Sequence, residues 1–87
     1  MFTVTKQAAS ALHQHLESRR KNGVVVMRIL ILDGKWSWTV DTPKPDDELY
    51  KYDGVPVVAV NPNIAEALND KTLDVRQTEM GTLYVLN

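Results

Sequence analysis

The spacing of apolar residues along the chain predicts short strands and two helices. A first strand covers Phe2 to Val4, and Thr5 can cap a helix that begins at Lys6 and runs to about Arg20. The apolar positions of this helix recur at helical spacing at Ala8, Ala11, Leu12 and Leu16. The pattern therefore predicts an amphipathic helix with one buried face.

The next segment predicts a hairpin with a buried first strand. From Val24 to Leu32 the chain is nearly continuously apolar and β-branched, which is typical of a central strand with both faces mostly covered, and Arg28 is the exception. Asp33-Gly34 favours a tight type I′ turn because both residue types tolerate positive φ. In the following strand Trp36, Trp38 and Val40 alternate with Ser37, Thr39 and Asp41.

A loop and a second hairpin follow. Thr42 to Glu48 contains two prolines and three consecutive acids, and it predicts an exposed loop. Leu49 to Tyr52 and Val55 to Val60 predict two strands around a turn at Asp53-Gly54. Pro56 indicates an edge position or a strand start, because proline cannot donate to a β-ladder.

The last third of the sequence predicts a short helix and a final hairpin. Asn61 can cap a helix with Pro62 at its first position, ending near Leu68. Leu73 to Thr78 and Leu83 to Leu86 predict two strands joined by a turn near Met80-Gly81. The whole pattern predicts a small α+β fold.

Length and composition indicate one globular domain over residues 1–87. Hydrophobic residues make up 44% and charged residues 24%, which is ordinary for a folded protein. A chain of 87 residues buries only roughly 60–65% of the surface that its unfolded form exposes. Self-association would add stability, so a homodimer is expected.

Cysteine count and charge exclude several classes of function. The sequence has no cysteine, which excludes disulfides, thiolate-bound metal and cysteine nucleophiles. A net charge of −1 produces no global field that would attract nucleic acid or an anionic membrane. The longest apolar stretch is far shorter than the roughly 20 residues of a membrane span, and no secretory signal is recognised, so we expect a cytoplasmic protein.

The order of elements and several short motifs resemble the HesB/IscA family of A-type iron–sulfur carriers. Thr3-Val-Thr5 before the first helix resembles the family's opening, and Asp53-Gly54-Val55 resembles its central hairpin. The end of the chain also resembles that of the family, through Leu68, Leu73-Asp74-Val75, Gly81 and the closing strand through Asn87. The resemblance covers nearly the whole chain and implies mixed or antiparallel sheets packed with two helices.

The resemblance also shows what this chain lacks. Members of the family are understood to hold iron or a cluster through one cysteine in a loop after the second strand and two in a C-terminal Cys-Gly-Cys tail. Here Leu32-Asp33-Gly34-Lys35 occupies the loop position, and the sequence reaches Asn87 about where that tail would be introduced. No ligand is carried over, so we expect no cofactor and a degenerate, cysteine-free member.

Polar candidates for chemistry have ordinary structural explanations. His13 and His15 are two apart, which separates them by about 200° around a helix, with His15 predicted near the apolar face and His13 pointing outward. The run Asp46 to Glu48 lacks the spacing of a calcium loop and predicts a solvated segment. No nucleophile elbow, phosphate loop or zinc motif is present, so the sequence predicts no enzyme.

Aromatic side chains are the remaining candidates for binding. Trp36 and Trp38 share one face of a strand, and the pattern favours placing them in the core. The alternative is an exposed interaction surface formed by the tryptophans with Tyr50 and Tyr52. Binding of nucleic acid would instead use a basic patch formed by Lys6, Arg19, Arg20 and Lys21. The last three of these residues also have a structural explanation, because they complement the negative end of the helix dipole. Asn22-Gly23, which follows them, favours a helix C-cap.

The sequence thus predicts a non-enzymatic accessory or regulatory protein. The resemblance implies partners in iron–sulfur cluster assembly or sulfur metabolism, reached through protein–protein contacts; cysteine-free members are known in sulfur-oxidising bacteria. The alternatives are a weak iron or metal binder through histidine and carboxylate ligands, and a nucleic-acid-binding regulator without a recognised motif. No membrane partner is expected.

Overall fold

The computed structural model describes residues 1–20 and 23–87. Helix α1 begins after Thr5, whose hydroxyl accepts a hydrogen bond from the Ala8 amide at 3.1 Å, as the sequence predicts. Helix α2 begins after Asn61, whose side chain accepts from the Asn63 amide at 2.9 Å. The elements are β1 Thr3–Val4, α1 Lys6–Glu17, β2 Val26–Leu32, β3 Lys35–Asp41, β4 Glu48–Tyr52, β5 Val55–Val60, α2 Pro62–Ala67, β6 Thr72–Thr78 and β7 Gly81–Leu86.

These elements form two mixed sheets with two helices, so the predicted α+β fold is confirmed. One sheet has the order β1-β6-β7, with β1 parallel to β6. The other has the order β3-β2-β5-β4, with β2 parallel to β5 and both outer pairs antiparallel. The two Asp-Gly turns are of the predicted kind, since Asp33 and Gly34 have φ of 52° and 75°, and Asp53 and Gly54 have 51° and 77°.

The core lies where α1 and both sheets meet. Buried residues from α1, β2, β5 and β6 form one cluster, and α1 packs against β4, β5 and β6. Its largest members are Phe2, Leu12, Leu16, Met27, Ile29, Val57, Val58, Val60, Leu68 and Leu73. Because α1 covers the β4–β5 side of the four-stranded sheet, the β3 side is left more open.

Helix α1 is shorter than the sequence pattern suggests. It ends at Glu17 and not near Arg20, because the Ser18 hydroxyl donates to the His15 carbonyl and the Arg19 amide bonds to the Leu16 carbonyl, which tightens the last turn. The predicted cap at Asn22 and the side chain of Lys21 lie outside the described residues.

Strand β2 is only partly the buried strand that its sequence predicts. Val26 to Ile29 are buried, but Ile31 and Leu32 are 40% and 58% exposed. The end of the β2–β3 hairpin therefore extends beyond the part of the sheet that the core covers. Pro56 lies near the start of the central strand β5, beside a register shift between Tyr50 and Lys51 on β4.

Candidate functional site

The two tryptophans lie on the open edge strand β3, so the interpretation that they belong to the core was wrong. Trp36 and Trp38 are 38% and 49% exposed and pair with Ile31 and Ile29 of β2. The physical reason is the position of α1, which packs on this face of the sheet but mainly over β4 and β5, so that β3 is only partly covered. Alternation predicted the shared face correctly, but it carries no information about what covers that face.

Tyr84 of β7 completes an aromatic surface with these residues. Its ring meets that of Trp38 edge to face, with centroids 6.0 Å apart and an interplanar angle of 81°. Its hydroxyl shares a 2.6 Å hydrogen bond with Nδ1 of His15, and burial raises the pKa of the Tyr84 phenol. We call Ile31, Trp36, Trp38 and Tyr84 the β3 aromatic face.

Two grooves border the β3 aromatic face, and Trp38 lines both. One, of about 240 Å³, lies between the tryptophans and the β6–β7 hairpin. The other, of about 390 Å³, lies between Trp38, the end of α1 at Leu16 and the exposed Leu83 of β7. Exposed aromatic side chains beside apolar grooves are typical of protein–protein contact surfaces.

Tyr50 and Tyr52 lie on β4, the opposite edge strand of the same sheet. Two strands separate β4 from β3, which places these edges about 14 Å apart. The ring of Tyr50 packs edge to face on Phe2 at 5.2 Å, and that of Tyr52 lies 5.4 Å from His13. The structure therefore does not bring the tyrosines together with the tryptophans, and their part in an interaction surface stays a prediction.

The two histidines lie on different sides of α1, and their predicted exposures are reversed. His13 is half-buried beside Tyr52 and lies 3.5 Å from the Glu17 carboxylate, whereas His15 is exposed and bonds to Tyr84. The reversal arises because β4 packs over the His13 side of the helix. The histidines share no site with each other.

An ionic cluster replaces the solvated acidic loop that the sequence predicts. Arg28 donates from Nη1 and Nη2 to both carboxylate oxygens of Asp47, at 2.9 and 2.7 Å, and from Nε to Asp41 at 3.0 Å. Its Nη2 also donates to the Thr42 carbonyl at 3.1 Å. The Asp47 side chain is fully buried and that of Arg28 is 11% exposed, so this part of the acidic run was wrongly predicted. The neighbouring acids Asp46 and Glu48 are exposed, as expected.

This cluster makes folding stability depend on acid pH. Arg28 lowers the pKa of Asp47, while the Thr42 amide and then Arg28 lower that of Asp41. A carboxyl group whose pKa is lower in the folded state stabilises the fold at pH values above its unfolded pKa of about 3.9. This stabilisation is lost as the pH falls through the folded pKa.

We expect the urea midpoint to be steady near neutral pH and to fall below about pH 4. An Asp47→Asn variant should show a shallower fall, and an equally steep one would contradict this origin.

The predicted basic patch is partly used inside the fold. Arg20 is 12% exposed; it donates to the Pro56 carbonyl at 3.1 Å and forms an ion pair with Glu17 at 3.1 Å. Lys21 lies outside the described residues. The contacts of Arg20 are structural, so nothing in the described part of the chain favours a nucleic-acid surface at this position.

The described residues also contain no cluster of histidine and carboxylate side chains suited to a metal ion. In residues 1–20 and 23–87, no group of three or more histidine, aspartate or glutamate side chains could hold a metal ion. His13, His15 and Asp47 belong to three separate environments. Within the same ranges, no helix is long and apolar enough to cross a membrane.

The fold matches that of IscA and SufA, which confirms the fold predicted from the sequence. A crystal structure of IscA with the [2Fe-2S] cluster is 22% identical, with a TM-score of 0.70 over 100% of this chain and 84% of that chain. Escherichia coli SufA, involved in biosynthesis of iron–sulfur clusters, is 17% identical, with a TM-score of 0.74 over 99% and 78%.

A third structure shows the same fold. The solution NMR structure of a protein from Aquifex aeolicus is 22% identical, with a TM-score of 0.66 over 99% of this chain and 89% of that chain. Neither a protein-family model nor a curated protein matches the sequence. The likeness therefore rests on structure and establishes the fold.

Sequence reasoning missed Tyr84 as a member of the aromatic surface. Its strand was predicted, but no local pattern indicates that β7 lies beside Trp38. The only sequence signal was the last hairpin itself, whose apolar residues needed a second layer against which to pack.

Proposed function

We propose that this chain is a non-enzymatic accessory or regulatory protein of iron–sulfur cluster assembly or sulfur metabolism, and that it acts through protein–protein contacts. The observation that carries the proposal is the β3 aromatic face, exposed on a fold shared with IscA and SufA, in a sequence without cysteine. The proposal includes one domain over residues 1–87, a cytoplasmic location and no cluster carried on thiolates.

The position of the aromatic face supports this proposal. The resemblance places the first cysteine of the family at Leu32-Asp33-Gly34-Lys35, which here is a tight turn at the end of the β2–β3 hairpin. Beside that turn, Ile31 and Trp36 are exposed apolar side chains. The position that carries a ligand in the family is therefore flanked by exposed apolar side chains in this chain, and apolar surfaces bind proteins by excluding water.

Affinity capture tests the proposal. The tagged protein, incubated with an extract of the native cell, should retain identified proteins of iron–sulfur assembly or sulfur metabolism. Replacing both Trp36 and Trp38 by Ala should weaken binding to a purified partner by roughly thirty-fold or more, since a central tryptophan contributes about 2 kcal/mol or more at an interface.

A matched control separates the aromatic face from general surface change. Leu49 is 39% exposed on the opposite edge strand, so Leu49→Ala should leave partner binding unchanged. Recovery of unrelated proteins alone, or equal effects of the two changes, would count against the proposal.

We also propose that the protein forms a homodimer. The chain is short, and it leaves large apolar side chains exposed at Trp36, Trp38 and Leu83. Two-fold association is the commonest way in which small proteins cover such surface. Sedimentation of the wild-type protein over a range of concentrations measures this directly.

A further inference from the structure

We infer that the open edge of β3 pairs antiparallel with β3 of a second copy, about a two-fold axis through Trp38. The inference rests on the proposed homodimer and names its interface. It is carried by three observations on the same strand: its free backbone groups, its register and its charges.

The backbone of β3 has unpaired groups on its outer edge. The two-residue turn Asp33-Gly34 makes Leu32 and Lys35 a bonded pair, and bonded pairs then alternate along the ladder with β2. Trp36, Trp38 and Val40 consequently direct their amides and carbonyls away from β2. These groups make no other backbone hydrogen bond in the described residues.

The register of self-pairing follows from the length of the strand. β3 runs from Lys35 to Asp41, so Trp38 is its middle residue. Antiparallel pairing centred there places Trp38 opposite the partner's Trp38 and Trp36 opposite the partner's Val40. These are the residues with free backbone groups, so each such pair can exchange two hydrogen bonds. Pairing centred on Trp36 or Val40 would overlap only the end of the strand.

The charges at the two ends of β3 select the same register. Lys35 begins the strand and Asp41 ends it, so each Lys35 lies opposite the partner's Asp41 on one face of the joined sheet. Asp41 is 36% exposed; its Oδ2 accepts from Arg28 and its Oδ1 from the Thr42 amide, and the exposed carboxylate still attracts a further cation. The strand is therefore complementary to its own reversed copy in both charge and backbone.

The other edges of the sheets are less suited to self-pairing. β4 has an irregular register between Tyr50 and Lys51, which is a common protection of edge strands. β1 has only two residues, and β7 has no charged residue that would select a register. β3 pairs regularly with β2 over its whole length and contains no proline.

Pairing would join the two copies into one eight-stranded sheet. The tryptophans of both copies would then form a continuous strip on one face, which doubles the β3 aromatic face offered to a protein partner. A single strand pair is smaller than a standard interface of about 1,600 Å², so we expect a dissociation constant in the micromolar range.

A single cysteine provides the most direct test, because the wild-type sequence has none. In the proposed dimer the Cα atoms of Trp38 and the partner's Trp38 lie about 5.5 Å apart, within the range of a disulfide. Trp36 and the partner's Trp36 lie about 14 Å apart. Under mild oxidation, the Trp38→Cys variant should form a covalent dimer rapidly, and the Trp36→Cys variant should remain monomeric on non-reducing gels.

A charge test keeps the inference falsifiable if a tryptophan replacement weakens folding. Lys35→Glu places like charges opposite each other at both ends and should raise the dissociation constant roughly ten-fold. Lys51→Glu makes the same change on the β4 edge and should have no effect.

The outcomes separate the interface from the homodimer. A wild-type protein that sediments as a monomer at high micromolar concentration overturns both. A dimer that responds equally to Lys35→Glu and Lys51→Glu, or equal cross-linking of the two cysteine variants, overturns the β3 pairing alone. Neither result bears on capture of iron–sulfur or sulfur-metabolism partners, which tests the proposed function separately.

Discussion

Replacing Arg28 by Met should lower the free energy of unfolding by about 3–5 kcal/mol. Arg28 holds Asp47 through two hydrogen bonds and Asp41 through a third, and the Asp47 side chain is fully buried. Removal of the cation leaves a buried carboxylate that keeps the Lys44 amide, at 2.7 Å, but has lost its counter-charge, and this costs more than the pair contributes when intact. Urea unfolding followed by circular dichroism measures the change.

Two controls distinguish a buried charge from lost packing. The double variant Arg28→Met with Asp47→Leu removes both members of the pair and should recover a large part of the stability. Lys44→Met removes an exposed cation 3.8 Å from Asp41 and should cost less than about 1 kcal/mol. A loss in the double variant equal to that of Arg28→Met alone would contradict the argument.

The fold was predictable because its signals are local. Each Asp-Gly pair specifies a hairpin turn that tolerates positive φ, and the structure has both turns. Thr5 and Asn61 fix the starts of the two helices through their side-chain caps. The order of these elements then carried the resemblance from which the HesB/IscA-like class was predicted.

The ionic cluster was not predictable from such signals. Arg28 was recognised as an interruption of a buried strand, but the partner of a buried charge lies elsewhere in the sequence. Asp47 is 19 residues away, in a segment whose composition indicates a solvated loop. An arginine in a buried strand does imply a nearby carboxylate, and that carboxylate belongs to Asp47, one of the three consecutive acids.

The candidate site was only partly predictable, because the alternation along β3 is a local signal and the contacts of β3 with other elements are not. Alternation placed Trp36 and Trp38 on one face, and it could not show that α1 covers mainly the β4–β5 part of that face. Trp38, Tyr84 and His15 meet because β7 returns beside β3 and the end of α1. Such contacts depend on the arrangement of the two sheets, which no local pattern encodes.

Anaerobic reconstitution with ferrous iron and sulfide should leave this protein without stoichiometric iron after desalting. Protein iron–sulfur clusters are held mainly by thiolates, and this sequence has none. The histidines that could supply part of a ligand set contact Tyr52 and Tyr84 on different sides of α1. We expect no charge-transfer bands in the visible absorbance spectrum and only trace iron by metal analysis.

IscA provides the positive control for this measurement, because its crystal structure holds a [2Fe-2S] cluster on the same fold. Treated in parallel, it should retain iron and sulfide where this protein does not. Stoichiometric iron in this protein would contradict the exclusion of cluster binding and would show that imidazole and carboxylate ligands suffice. His13→Ala and His15→Ala variants would then identify the ligand. Loss of iron in His13→Ala alone would place the site on the β4 side of α1, and loss in His15→Ala alone would place it on the β7 side.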